Sequence, residues 1–195
     1  MSKNNLEVMR KKLKKNLDSY RYHHTLGVMY TAASLAMCYG MDIIQAETAG
    51  LLHDCAKCYT DEEQLALCYK YNIEVTEAEQ KSPYLLHAKL GAYFASRSYG
   101  VSDQEILDAI RYHTTGRPGM TDLEKVIYLA DYIEPMRDKA SNLKRIRRLA
   151  FVSLDEAMYS VLKDTLHYLE NSPKSVDPAT EEAYEYYAKK LYEKE

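Results

Sequence analysis

The chain has 195 residues, with 26 Lys and Arg against 29 Asp and Glu and a formal charge of −3; the length suits one domain with a sizeable core, and the charge argues against a protein built to coat nucleic acid. No apolar run approaches the roughly 20 residues that cross a bilayer, and the Lys-rich start lacks the apolar core of a secretory signal, so a cytoplasmic protein without membrane contact is expected. Four cysteines, Cys38, Cys55, Cys58 and Cys68, are too few and too unevenly spaced for a disulfide framework, and Cys55-x-x-Cys58 lacks the strand-to-helix setting of a redox motif.

In chain order, apolar residues at three- and four-residue spacing predict helices at 6–19, 25–39, 42–56 and 60–71, then a short turn near Thr76 and a helix at 85–99. Further helices are predicted at 102–112, 121–134, 143–151, 154–170 and 178–192. Strand patterns are nearly absent, so the fold class is all-α. Capping boxes mark the starts: Thr60 with Glu63, Thr76 with Glu79, Ser102 with Glu105 and Thr121 with Glu124. Gly40 and Gly100 read as helix stops, Ser82-Pro83 as an interruption, and Gly116-Arg117-Pro118-Gly119 as a loop. Asp177 and Pro178 form a cap and first-turn pair. The expected organisation is a single domain over 1–195, with 171–195 a C-terminal loop and helix packed on it. The 19 Tyr, against two Phe and no Trp, read first as a packing preference.

The chemistry-bearing pattern begins with His53-Asp54, an imidazole and a carboxylate side by side at the end of an apolar, helix-forming segment. His24 lies upstream, His87 and His113 downstream, and Asp131 closes the series. Four neutral imidazoles and two carboxylates are hard or borderline donors that suit iron, manganese or zinc, and donor type alone does not choose among them. Six protein ligands exceed one tetrahedral site. With a bridging carboxylate, for which Asp54 is central in the order, two divalent ions would sit about 3.5 to 4 Å apart and retain positions for water or phosphate. A single His or Asp is more often structural than ligating; the joint order carries the reading. His23, beside His24, and His167, in a charged run, are left outside it.

Lys57 follows Asp54 by three positions and offers a cation for phosphate, or a favourable charge at a helix C-terminus. Thr114, Thr115 and Gly116 follow His113 and are either phosphate or sugar contacts or a tight turn leaving the helix. Arg137, six positions after Asp131, could reach back into the cleft, and Arg21, three before His24, is a second candidate. Lys144, Arg145, Arg147 and Arg148 read as a solvated charged face.

The segments Arg21 to Val28, Ala49 to Lys57, His87 to Ala92, Ala109 to Gly116 and Ile127 to Pro135 resemble the YqeK-type HD hydrolases, the symmetrical bis(5′-nucleosyl)-tetraphosphatases. The likeness covers most of the chain, with Glu185 standing where that family tends to place Asn. It implies an HD-domain helical bundle with a dinuclear metal site between helices, iron before manganese or zinc, ligated by His24, His53, Asp54, His87, His113 and Asp131. It implies cleavage of diadenosine tetraphosphate and related dinucleoside polyphosphates to two ADP by a metal-bound hydroxide, with Asp54 and Lys57 catalytic. It further implies nucleotide contacts at Lys57, Thr114 and Arg137, with Arg21 and the 171–176 loop as additional ones. The expected partner is a dinucleoside polyphosphate or an ADP- or GDP-like nucleotide, and a homodimer stays open. The rival expectations are a nucleotidase or deoxynucleotide phosphohydrolase, and a non-catalytic nucleotide-binding adaptor.

Overall fold

Side-chain caps decide where most of the helices begin. In the computed structural model, which describes residues 3–140, 142–170 and 176–193, the Thr60, Thr76 and Thr121 capping boxes all close reciprocally, each satisfying two exposed backbone N–H groups. The elements are α1 (Lys3–Asn16), α2 (Ser19–Tyr39), α3 (Ile43–Leu52), α4 (Asp61–Lys70) and α5 (Glu77–Lys81), then a 3₁₀ turn at Pro83–Leu85. They continue as α6 (Leu86–Tyr99), α7 (Gln104–Tyr112), α8 (Asp122–Ile133), α9 (Leu143–Leu149), α10 (Leu154–Glu170) and α11 (Pro178–Tyr192). No strand occurs among the described residues, and none of their helices is long and apolar enough to cross a membrane. Residues 171–175, most of the loop expected near the nucleotide, lie outside the described residues.

Several boundaries differ from the sequence expectation, α1 running 3–16 rather than 6–19 and α9 ending at 149 rather than 151, and three more have a visible local cause. Helix α2 starts at Ser19 rather than 25, because the Asp18 side chain accepts from the Arg21 backbone N–H at 2.9 Å. Helix α7 is capped by Asp103, which accepts from the Glu105 N–H at 3.0 Å, and not by the Ser102 and Glu105 box. Helix α3 stops at Leu52 rather than 56 and passes into a run of turns over 53–58. There the Cys55 N–H donates to Leu52 O and the Lys57 N–H to Asp54 O, the tighter three-residue spacing that ends a helix. The helical face assumed to carry both Asp54 and Lys57 therefore does not exist; a turn brings them together instead.

Helices α2, α3, α7 and α8 pack against one another at the centre, with α6 against α7, α10 against α8 and α11 against α10. Leu35, Leu51, Leu52, Ile106, Ile110, Leu123, Ile127 and Leu129 are fully buried, each burial contributing about 1.5–3 kcal/mol relative to exposure. Ala183 and Tyr187 bring α11 into this same core. A smaller cluster, Ala56, Cys68, Leu86 and Leu90, ties the turns after α3 to α4 and α6. The arrangement gathers the C-terminal ends of α3, α7 and α8 and the first turn of α6 around one region.

Helices α2 and α3 are in close backbone contact at Gly50, where an added Cβ would lie 3.0 Å from Met29 Cα and 3.2 Å from Met29 N. Because the obstacle is helix backbone, it cannot swing aside. Gly50→Ala is therefore expected to lower unfolding stability by about 1–3 kcal/mol, read as a shift in the urea midpoint at unchanged slope.

Candidate metal centre

All six side chains singled out by the sequence meet in that region. His24 comes from α2, the His53-Asp54 doublet from the turn ending α3, His87 from the first turn of α6, His113 from the C-cap of α7, and Asp131 from the last turn of α8. Two groups have ligand atoms all within 4.8 Å of one another, His24 with His53 and Asp131, and His53 with Asp54 and His113; His53 joins them. His87 Nε2 lies 3.3 Å from Asp54 Oδ1 and 3.2 Å from His113 Nε2. His24 Nε2 lies 3.0 Å from Asp131 Oδ1, and His113 Nε2 is 3.5 Å from Asp54 Oδ1.

The other ring nitrogens fix the tautomers. Nδ1 of His53 contacts Gly50 O at 2.7 Å, Nδ1 of His113 contacts Ile110 O at 2.7 Å, and Nδ1 of His87 contacts Tyr84 O. A carbonyl only accepts, so each Nδ1 carries the proton and each Nε2 turns a lone pair toward the cluster. The same three-residue backward reach serves all three rings. Nδ1 of His24 instead faces a carboxylate, Glu134 Oε1, at 3.0 Å. Buried His53 Nε2 and Asp54 Oδ1 have no hydrogen-bond partner among the described residues, although buried polar atoms ordinarily do. Lone pairs facing lone pairs in a dry site are the arrangement a divalent cation satisfies, and the donor set fits that group.

The protonation states of two of the rings and of both aspartates agree. Burial pushes His53 and His87 down to about 4, leaving both rings neutral at pH 7, as a metal ligand must be. Burial would raise the Asp54 carboxyl, but Lys57 and His53 beside it, with the His113 and His87 rings against it, hold it well below the usual range. Asp131 is likewise lowered: its burial is outweighed by the His24 hydrogen bond, His53 and Arg137. For His24, burial works downward but Asp131 and Glu134 win, raising it.

Around the cluster, Lys57 Nζ sits 3.0 Å from His87 Nε2 and 3.6 Å from Asp54 Oδ1. Thr114 Oγ1 is 3.2 Å from His87 Nε2 and 3.1 Å from His113 Nε2, while Gly116, at φ +71°, closes the end of α7 onto Tyr112 O; the contact and the turn coexist. Arg137 does reach back, its Nη2 2.5 Å from Asp131 Oδ1. Arg21 is not brought in and pairs with Asp18 at 3.1 Å. His23 and His167 are exposed, as expected. A cavity of about 300 Å³ opens beside the cluster, lined by Tyr20, His113, Thr114, Asp131, Tyr132 and Arg137 among others.

Two residues escaped the sequence reading. Glu134, fully buried, orients His24 and accepts from the Met136 N–H at 2.7 Å; a Cβ on Gly27 would stand 2.5 Å from Glu134 Oε2, so glycine there makes room for the carboxylate. The available signal was spacing, since Glu134 follows Asp131 by three and Gly27 follows His24 by three. Arg147, expected on a solvated face, instead donates to the carbonyls of Ile133, Glu134 and Arg137 at 2.8–2.9 Å, clamping the segment that presents Arg137.

The HD domain family model matches residues 21–136. The symmetrical bis(5′-nucleosyl)-tetraphosphatase of Bacillus subtilis (strain 168) is 44% identical over 86% of this chain and 89% of its own length. The protein of the same name from Staphylococcus aureus (strain NCTC 8325 / PS 47) is 36% identical over 94% of each. A solved structure from Clostridium acetobutylicum, described as a predicted HD superfamily hydrolase involved in NAD metabolism, superposes with a TM-score of 0.91 at 36% identity, covering 94% of this chain and 97% of that one.

Carboxylates behind metal-binding histidines typically contribute about 10- to 100-fold in metal affinity. Glu134→Ala is expected to weaken divalent-ion binding by about that range, measured by titration against a competing chelator, and Glu134→Gln, which can still accept from Nδ1, to weaken it less.

Proposed function

We propose that this chain, which belongs to the HD-domain family and within it to the symmetrical bis(5′-nucleosyl)-tetraphosphatases, hydrolyses dinucleoside tetraphosphates such as diadenosine tetraphosphate into two nucleoside diphosphates. The observation that carries the reading is the convergence of imidazoles and carboxylates within ligating distance of one another, with Lys57 against Asp54 and with Arg137, paired to Asp131, lining an open cavity beside them.

In this proposal His24, His53, Asp54, His87, His113 and Asp131 would hold one or two divalent ions. Ions held there would ionise a water near neutral pH and neutralise charge on the attacked phosphate. The chain's own part is placement and electrostatic stabilisation, because phosphoryl transfer spreads charge over equatorial oxygens. Water oxygen bonds to a phosphorus next to the central bridging oxygen, the bond from that phosphorus to the bridge breaks, and the departing diphosphate keeps the bridge oxygen. Lys57 holds an ammonium beside Asp54 and His87, where charge on the reacting phosphate is met. Thr114 offers a hydroxyl at the same point, and Arg137, braced on Asp131, extends the positive edge along the cavity.

Iron is our choice of ion, taken from the resemblance to the YqeK-type hydrolases; a donor set of imidazole and carboxylate without thiolate is compatible with it, as with manganese or zinc. A reducing, cytoplasmic setting is supported by four cysteines that are all free.

Metal-loaded protein is expected to convert diadenosine tetraphosphate to ADP alone on chromatography; AMP plus ATP would overturn the symmetrical cut. Asp54→Ala is expected to lose bound metal and activity together. Lys57→Ala is expected to keep its metal while turnover falls by roughly 100-fold, the scale of removing one electrostatic donor from a reacting centre; unchanged kinetics would remove Lys57 from the mechanism.

A further inference from the structure

The cavity already described is one of two that meet at Thr114. The second, about 220 Å³, lies where α6, the end of α7 and the start of α11 converge, and is lined by Leu85, Ala88, Arg111, Thr115, Asp177 and Ala179 among others. Thr114 lines both cavities, and its hydroxyl is within 3.2 Å of the cluster-facing nitrogens of His87 and His113. A phosphate chain laid over Thr114 from one cavity to the other would run beside the candidate metal centre, which Thr114 touches through its hydroxyl.

We propose that this second cavity is a nucleoside-diphosphate subsite, so that the two halves of the substrate lie in separate cavities on either side of Thr114 and the bond between them is presented to the centre. The inference rests on the dinucleotide reading above and deepens it. A symmetrical cut needs its scissile bond centred on the reacting groups, and a binding cavity on each side is the simplest way to centre it. The chemistry of the walls is suited to the task. Arg111, exposed on the last turn of α7, has no carboxylate partner among the described residues and presents a planar fork to phosphate oxygens. Lys89, in the same wall, is already committed to Glu79 at 2.7 Å and to Glu74 O at 3.0 Å, which leaves Arg111 as the available cation. Leu85, Ala88 and Ala179 offer apolar lining for a base; Asp177, whose Oδ1 caps α11, keeps its second carboxylate oxygen for a ribose, and the Thr115 hydroxyl, which donates to Gly116 O, can still accept.

The test counts nucleotides. Calorimetric titration of the metal-loaded wild-type protein with ADP is expected to give two ADP per chain, and Ala179→Trp, which fills the cavity from α11, to give one. Arg111→Ala, a change at an exposed site, is expected to weaken one of the two bound ADP by about tenfold, a loss of about 1.4 kcal/mol. In turnover, Ala179→Trp is expected to raise KM for diadenosine tetraphosphate about tenfold more than for adenosine 5′-tetraphosphate, which carries one nucleoside. A single ADP per wild-type chain, with two ADP still produced from the dinucleotide, would overturn the second subsite and leave the substrate reading standing. Failure of the loaded wild-type protein to produce ADP from the dinucleotide would overturn both.

Discussion

Everything at the centre of this molecule depends on lone pairs being held face to face in a dry place. Three rings spend their Nδ1 protons on backbone carbonyls, so the protons that could have separated their Nε2 atoms from the Asp54 carboxylate are directed elsewhere, while His24 lies between two carboxylates, Asp131 and Glu134. Burying polar atoms in that state costs free energy unless positive charge arrives. The core packing of α2, α3, α7 and α8 supplies the scaffold that tolerates it. The fold stores an unmet demand for a cation and places it beside a cavity wide enough for phosphate.

That demand also explains why the ligands sit at helix ends. A ring whose Nδ1 reaches the carbonyl three residues back needs a carbonyl free of its usual helical partner, which the last turn of a helix provides. His53 and His113 both follow the final residue of their helices, and each satisfies an otherwise orphaned carbonyl while orienting itself. His24, in the body of α2, has no such carbonyl and takes Glu134 instead, at the cost of admitting a buried carboxylate. Gly27 leaves the space for that carboxylate, and Arg147 fixes the backbone from which it projects. The same clamp holds Arg137 O, so the support of one ligand and the presentation of one rim cation are mechanically linked.

Local signals made much of this legible in the sequence, and the misses have physical reasons. Thr60, Thr76 and Thr121 were readable as starts because a capping box is complete within four residues. The start of α2 was not, since Asp18 caps it without a reciprocal Glu. The end of α3 was missed because residues 53–58 contain neither Gly nor Pro; the helix stops for a tertiary reason, the burial of His53 and Asp54 against groups from α2, α6, α7 and α8. Arg147 looked solvated because its neighbours Lys144, Arg145 and Arg148 are exposed, and only the approach of α9 to the end of α8 singles it out. The convergence of the six ligand candidates was anticipated from their order, whereas Glu134, which carries no ligand pattern of its own, became visible only through its contact.

The charge distribution shows why a protein of net charge −3 can still suit a polyanion. Asp54 and Asp131 are kept ionised by what surrounds them, and each has a basic residue at its edge, Lys57 for one and Arg137 for the other. In the absence of positive charge from an ion, those two pairs nearly cancel and the cleft would have little attraction for phosphate. Once divalent charge is added among the carboxylates, Lys57 and Arg137 are less fully neutralised by them and their fields turn toward the cavity. On the proposed reading, metal binding and phosphate binding would be coupled through the same two aspartates, even for phosphate groups that touch only Lys57 or Arg137. The long-range field of the chain contributes little to this, since screening confines exposed charges to about 10 Å at 0.1 M salt, and selectivity for a phosphate chain rests on what lies within that distance of Asp54.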